Sequence, residues 1–536
     1  MKKYIITTLS IALLSVCLFS CNDNLDINQN PNQATGAVVT PDLMLASIYA
    51  NLASDINEYN KYGSLMAGYM FPGDGISGFS DLYSYNFTSS SYNTNWNDCF
   101  AHLRDIQAVI ETAEADEKYA YFGAAAHVAR AYTYQLLVDE YGDVPYTEGV
   151  RGGENISPAY DDDAEVYKSL INELDVAIAG FKSADADPNA LKFTSVTDPV
   201  FGGNTTKWIQ FSNNLKLRLL VRAAGTEIDG TVQAAFSSFS SEGFLKENAG
   251  INPGYNASNR QNPFYTDYHS NTAGSRATYA SYYLPTTYLM TFYLTTVLSG
   301  DTAENAFEYL EGKLIDDRRG ALLYRDYPET PNFQLGNETA GRPKTPQYVW
   351  LESVLKGRDQ DFVAFYAFEL YFLLAEAAAT GHELDGDWKS NYLKGIEESF
   401  RYLETNISGS LVQGAKPEDD VEEYIANNEN SPLVNPEKAT TKEQILEAII
   451  TQMYIASNVI NGHEAWSNFR RTAYPKIDNV GRLPNRTFVS YMTASPRPDQ
   501  LSIRLLYPQT AERDINPNTP DAGNSYSTPI FWDKND

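Results

Sequence analysis

Cysteine and histidine are scarce in this chain, at 3 and 5 of 536 residues. Two of the cysteines, Cys17 and Cys21, lie at the extreme N-terminus, so Cys99 has no partner for an internal disulfide and reads as a small apolar core residue. The same scarcity argues against a transition-metal centre, which draws on Cys and His. Positive charge is also short: 40 Lys and Arg stand against 69 Asp and Glu, a formal net charge of −29. Phosphate repels such a surface and no basic patch stands out, which excludes a nucleic-acid binder; anionic membrane surfaces repel it too. Beyond the first twenty residues no apolar run is long enough to span a bilayer. What is abundant is core material. The chain is 43% hydrophobic and 13% aromatic, so wholesale disorder is excluded. Length alone allows three or four domains, or one large helical one.

Catalytic and cofactor motifs fail on context. Gly73-Asp74-Gly75-Ile76-Ser77-Gly78 has the glycine spacing of a dinucleotide loop. Such a loop needs a strand before it and a helix after it, to aim amides at phosphate. Here Pro72 precedes it and a Ser/Tyr-rich stretch follows. His382-Glu383 and His463-Glu464 lack the second His of a zinc hydrolase. There is no G-x-S-x-G elbow and no Walker sequence. Asp161-Asp162-Asp163 lacks the ligand spacing of a calcium loop and instead suits the negative charge wanted at a helix start. The reading is therefore a protein without cofactor, metal or catalytic residues.

The N-terminus reads as a targeting segment. Lys2 and Lys3 precede a short apolar stretch over 4–19, and Ser20 is small. Residues 1–20 are expected to be a lipoprotein signal peptide, with an uncleaved anchor helix as the alternative. Leu18-Phe19-Ser20-Cys21 resembles a bacterial lipoprotein cleavage box, making Cys21 the lipidated residue. Cys17 is the competitor, but Val16 before it is less small than Ser20. Residues 21–40 form a tether, and its Asp23 and Asp26 resemble the surface-export signal of Bacteroidetes lipoproteins.

The body reads as helices separated by long aromatic loops. Helical patterns are predicted at about 41–59, 96–114, 117–141, 163–182, 205–224, 286–299, 362–380, 388–404 and 442–470. Loops are expected at 71–95 and 250–285, polar Pro-punctuated chain at 320–350, and coil from 471. The 362–380 segment has almost no polar face and should be buried, with Gly381 as its cap. With 388–404 it forms a helical hairpin of the tetratricopeptide kind, although no clean 34-residue repeat is present. Glu369 and Glu376 are seven apart on that helix and share a face. Paired carboxylates suit a glycosidase, but a helix packed all round favours structural pairing with arginines such as Arg470 and Arg471.

Four motifs carry a family resemblance. Cys21 with Asp26-Ile27-Asn28-Gln29-Asn30-Pro31-Asn32 opens the chain, and Tyr141-Gly142-Asp143-Val144-Pro145-Tyr146 follows a helix. Glu369 with Phe372-Leu373-Leu374-Ala375-Glu376-Ala377 forms the third. Glu464-Ala465-Trp466-Ser467-Asn468-Phe469-Arg470-Arg471-Thr472 with Pro475 forms the fourth. In this order and spacing they resemble the SusD/RagB family of Bacteroidetes nutrient-uptake lipoproteins. The resemblance implies a mostly α, SusD-like fold of irregular tetratricopeptide-like hairpins with long aromatic-rich loops, forming a single domain over 41–536. It also implies an outer-membrane, lipid-anchored, exterior-facing protein that binds nutrient and partners a SusC-type TonB-dependent transporter.

Oligosaccharide is the expected ligand, because aromatic rings beside Asn, Asp and Arg suit the C–H faces and hydroxyls of sugars. Peptide is the alternative ligand, and a surface glycoside hydrolase the alternative class. The first loop offers Asp74, Asp81, Tyr83, Tyr85, Tyr92 and Trp96. The second offers Asn262, Tyr265, Tyr268, Asn271, Arg276, Tyr279 and Tyr282. Tyr outnumbers Phe, 38 to 25, and burial alone does not need the hydroxyl. The two loops are expected to meet on one face and close over ligand against the transporter.

Overall fold

A computed structural model describes residues 40–535, except 74–77, 153–154, 294–316, 325–333, 337–350 and 352. The signal peptide, Cys21 and the tether thus lie outside the described residues, as do Asp74 and most of 320–350. The main helices are α1 (Pro41–Met66), α2 (Asn93–Ala115), α3 (Ala120–Tyr141), α4 (Asp163–Ala186), α5 (Thr205–Ala223), α6 (Ala367–Ala379), α7 (Trp388–Leu403), α8 (Pro417–Asn427), α9 (Lys442–Ala456) and α10 (Gly462–Thr472). Four short strands accompany them: β1 (Met70–Pro72), β2 (Ala249–Ile251), β3 (Tyr283–Pro285) and β4 (Phe362–Phe365). β1 pairs with β3 and β2 with β4, both antiparallel.

Local chemistry sets the helix ends. Asp162 caps α4 by accepting from the N–H groups of Ala164 and Glu165, which is the role expected of the acidic triplet. Asp387 caps α7 in the same way, and Thr441 with Gln444 forms a capping box at α9. α6 ends as predicted: Gly381 takes φ +106°, its N–H reaches Ala378 O, and that of His382 reaches Ala377 O at 2.8 Å.

Consecutive helices stack. α2 packs on α3, α3 on α4 and α4 on α5; α6 packs on α7, and α7 on α8. α6 also meets α5, joining the two runs, while α1 lies against α2, α3 and α10. This is the irregular hairpin architecture expected from the sequence. Cys99 is buried and free.

Three segment predictions need correction. Residues 362–365 are strand β4, not the first turn of a helix. A short run without polar residues fits a buried strand as well as a buried helix; here β2 supplies the ladder that decides. The 442–470 helix is two helices, broken at 457–461, where Val459 sits at φ +66°. In the 286–299 stretch the described helix covers only Thr287–Met290. The break before α10 lets Gly462 meet α1 at Gly63. A Cβ on Gly462 would lie 2.2 Å from Ser64 Oγ and 2.5 Å from Asn60 O.

Candidate functional site

The two aromatic loops start from one ladder. Met70, Phe71 and Pro72 pair with Pro285, Leu284 and Tyr283, and Gly73 N–H extends the pairing to Tyr282 O at 2.7 Å. The loops leave this ladder side by side, so the expectation that they approach each other agrees with the backbone. A file of rings crosses the junction. Phe264 stacks on Tyr268, Tyr268 leans on Tyr279 at 4.9 Å, and Tyr279 stacks on Tyr283 at 4.3 Å. Phe79 from the first loop meets Tyr283 edge-on at 6.0 Å. Lys61 lies over Tyr279 and pairs with Asp267 at 2.9 Å.

Burial divides the predicted residues. Tyr85, Trp96, Asn262, Tyr265 and Tyr268 are all buried, which corrects the expectation that they line an open surface. Trp96 packs among Phe100, Tyr141, Tyr160 and Tyr507, and its Nε1 donates to Glu512 at 3.2 Å. Asn262 caps the turn Pro263–Tyr268 and donates to Gln360 O at 3.1 Å. Tyr85 sits at φ +55°, and its hydroxyl accepts from Ser490 N–H at 3.2 Å. Tyr83, Tyr92, Tyr279 and Asp81 are half-buried, and Asn271 and Arg276 are exposed. Tyr282 is exposed as well, at 42%.

The tyrosine surplus also has a structural use that composition hid. Buried Tyr hydroxyls donate to backbone carbonyls of other elements: Tyr49 to Ala125 at 2.8 Å, Tyr69 to Tyr454 at 2.6 Å, and Tyr132 to Ala364 at 2.9 Å. The hydroxyl thus ties one element to another inside the core, a bond that a Phe could not make.

The carboxylate pair on α6 is engaged. Glu369 is fully buried; Arg218 Nε reaches one oxygen at 2.7 Å and Asn461 the other at 2.9 Å. Burial raises its pKa and neighbouring Glu464 adds to this, while Arg218 opposes. Glu376 instead forms a two-pronged pair with Arg471, at 2.5 and 2.8 Å. Arg471 is thus the partner the sequence suggested for Glu376. Arg218, on α5, was not legible for Glu369. Glu376→Gln should lower stability by about 2 kcal/mol, the scale of a charge-assisted hydrogen bond, read from urea denaturation. An unchanged midpoint would remove this pair from the fold's support.

Behind Glu369 the pairing continues. Arg218 also faces Glu464, at 3.6 Å, and Arg222 bridges Glu464 and Asp139. Tyr167 and Trp532 Nε1 both donate to Asp139 Oδ1. Burial works to raise Glu464, but Arg218 and Arg222 outweigh it and hold the carboxyl down at about 2. Asp139, His463 and Glu464 stand close enough to share a metal ion. Asp139 and Glu464 are already paired with Arg222, and His463 Nε2 lies 3.1 Å from Glu140.

The family profile described as SusD-like, "Susd and RagB outer membrane lipoprotein", matches residues 26–533. The chain belongs to the SusD/RagB family. Solved SusD homologs share its architecture. One from Bacteroides uniformis has a TM-score of 0.67 at 22% identity, covering 91% of this chain and 99% of its own. One from Parabacteroides distasonis has 0.67 at 21%, covering 92% and 98%. A chitin-binding SusD homolog from Flavobacterium johnsoniae has 0.65 at 18%, covering 92% and 99%. At these identities they speak for the fold. No curated protein matches the chain. This SusD-like chain is by family an outer-membrane lipoprotein and a nutrient-binding surface protein, in a class that is generally non-catalytic. Among its described residues no helix is long and apolar enough to cross a membrane.

Proposed function

We propose that this chain binds oligosaccharide at the cell surface and delivers it to a SusC-type TonB-dependent transporter. The observation that carries the reading is the β1–β3 ladder, from which both aromatic loops start, with Tyr282, Asn271 and Arg276 exposed and Tyr83 and Tyr279 half-buried in them. Rings of this kind stack on sugar C–H faces while amide and guanidinium groups bond hydroxyls. Tyr265 and Tyr268 belong to the support of this surface, and truncating them would test folding instead of binding. The informative variant is Asn271→Ala, Tyr279→Ala and Tyr282→Ala together. It should weaken glycan binding at least tenfold, as lost stacking of about 1 kcal/mol per ring requires, with native circular dichroism. The measurement is calorimetry against a panel of neutral oligosaccharides, chitin fragments included. Wild-type affinity in the variant would move the site elsewhere. Cleaved glycan would revive the hydrolase alternative, and binding of peptides alone would change the ligand class.

The anchor is part of the same reading. Cys21→Ala should abolish metabolic lipid labelling and either release the protein or leave its signal uncleaved. Asp23→Ala with Asp26→Ala should keep the lipid but hide the protein from protease added to whole cells. Persistent labelling without Cys21 would identify another acylated residue.

A further inference from the structure

α2, α3 and the loop after α3 line a cleft of three neighbouring compartments, one of which reaches Trp96 at the edge of the first aromatic loop. Its middle compartment holds about 730 Å3 between Arg104, Gln107 and Glu111 of α2, Arg130 and Tyr134 of α3, and loop residues 146–152. It shares Arg130 and Tyr146 with a compartment of about 470 Å3 that reaches Lys168 and Asn172 on α4. It shares Arg104, Val150 and Arg151 with another of about 250 Å3 beside Trp96 and Phe100.

The loop is held in place before any ligand arrives. Asp161 accepts the N–H groups of Tyr146 and Thr147 at 2.9 Å each, and the Thr147 hydroxyl at 2.8 Å. Glu148 accepts from Asn155 and Ala159 N–H at 2.9 Å. Val150 is fixed at φ +55°, a left-handed conformation that β-branched residues rarely adopt. Such strain persists only where surroundings over-determine it, and it gathers at functional positions.

The charge of the middle compartment runs against that of the molecule, whereas the flanking compartments add Lys168 against Glu165, Glu173 and Glu512. In a chain of net −29, the described lining of the middle compartment carries Arg104, Arg130 and Arg151 against Glu111 alone. The floor is internally satisfied. Arg130 pairs with Glu173 at 2.5 Å and donates to Gln107, which in turn donates to Glu111. The rim is not. Among the described residues Arg104 is exposed and makes no ion pair or hydrogen bond, and Arg151 spends one N–H on Thr147 O at 2.7 Å. The half-buried ring of Tyr146 lies in the middle compartment and that of Phe100 in the compartment beside Trp96.

We propose that this cleft is a second saccharide site that takes an acidic sugar, with Arg104 and Arg151 receiving its carboxylate or sulfate and Tyr146 its ring face. The net −29 charge disfavours a dense polyanion, so the ligand carries acidic sugars spaced by neutral ones. The site rests on Arg104, Arg151 and Tyr146 and shares none of the loop-surface residues Asn271, Tyr279 and Tyr282.

The test is calorimetry of the full mature protein with three probes of equal length: an oligosaccharide containing uronic acid, a sulfated one, and a neutral one. At least one acidic probe should bind, more weakly at 500 than at 50 mM salt. Arg104→Gln with Arg151→Gln should weaken it at least tenfold. Arg104→Lys should retain most of the affinity, and Tyr282→Ala should leave it unchanged. The stronger acidic probe tells carboxylate from sulfate. Failure of both acidic probes to bind, equal affinity for the neutral probe, or unchanged affinity in the double variant overturns the proposal. Loss on Tyr282→Ala would assign the binding to the loop surface instead. Because that surface is read with neutral glycans and different variants, either site can fail alone.

Discussion

Glu464→Gln should destabilise the protein by about 3–5 kcal/mol, the cost of leaving a buried charge without its partner, while Glu369→Gln should cost far less. The two carboxylates sit in one ionic cluster but on opposite sides of its balance. Asp139, Glu369 and Glu464 are three acids, and Arg218 and Arg222 are two cations. One acid therefore lacks a full counter-charge, and at Glu369 burial works against the charged form while Arg218 opposes it. Gln keeps an oxygen to accept from Arg218 Nε and removes the charge that burial disfavours. Glu464 is held at about 2. A depressed carboxyl stabilises the fold above its unfolded value, near 4.5, and that contribution is lost as pH falls through about 2. Acid unfolding of the wild type should therefore carry a component that Glu464→Gln lacks, whereas Glu369→Gln should keep it. Denaturant titrations at pH 7 and pH 3 on both variants measure this. Equal losses for the two would show that the cluster does not divide its charge this way.

Gly462→Ala should cost on the order of 3 kcal/mol, at the upper end of what overpacking a core produces. The obstacle is backbone, which cannot rotate away. The new methyl would sit 2.5 Å from both Asn60 O and Ser64 N, and a methyl on Gly63 would sit 2.4 Å from His463 N. The two glycines let α1 and α10 touch main chain to main chain. Gly63→Ala should therefore cost a similar amount, and the double variant less than the sum, since one separation of the helices relieves both clashes. Thermal melts of the three variants give the comparison; additive losses would mean that the helices do not move apart together.

Much of this architecture could be read from local chemistry. Asp162, Asp387, Thr441 and Gly381 mark helix ends because a cap acts within three or four residues. Residues 362–365 were misread because their strand character depends on β2, more than a hundred positions earlier. Arg218 was missed as the partner of Glu369 for the same reason: 151 residues separate them. The loop surface was legible in part. Its residue types marked two segments that start from one ladder, but Tyr85, Tyr265 and Tyr268 turn inward, since an aromatic ring gains as much by burial in the core as by facing a ligand. The cleft of Arg104 and Arg151 left no pattern, since its walls come from two helices and a loop that meet only in space.

The ring of Trp532 is fully buried between Arg222 and Arg470, with its Nε1 on Asp139 at 3.0 Å. The buried charges are thus shielded by a ring from a segment remote in sequence from Asp139 and Arg222. Undocking that one segment would admit water to all of them at once, so local opening there and loss of the ionic cluster are one event.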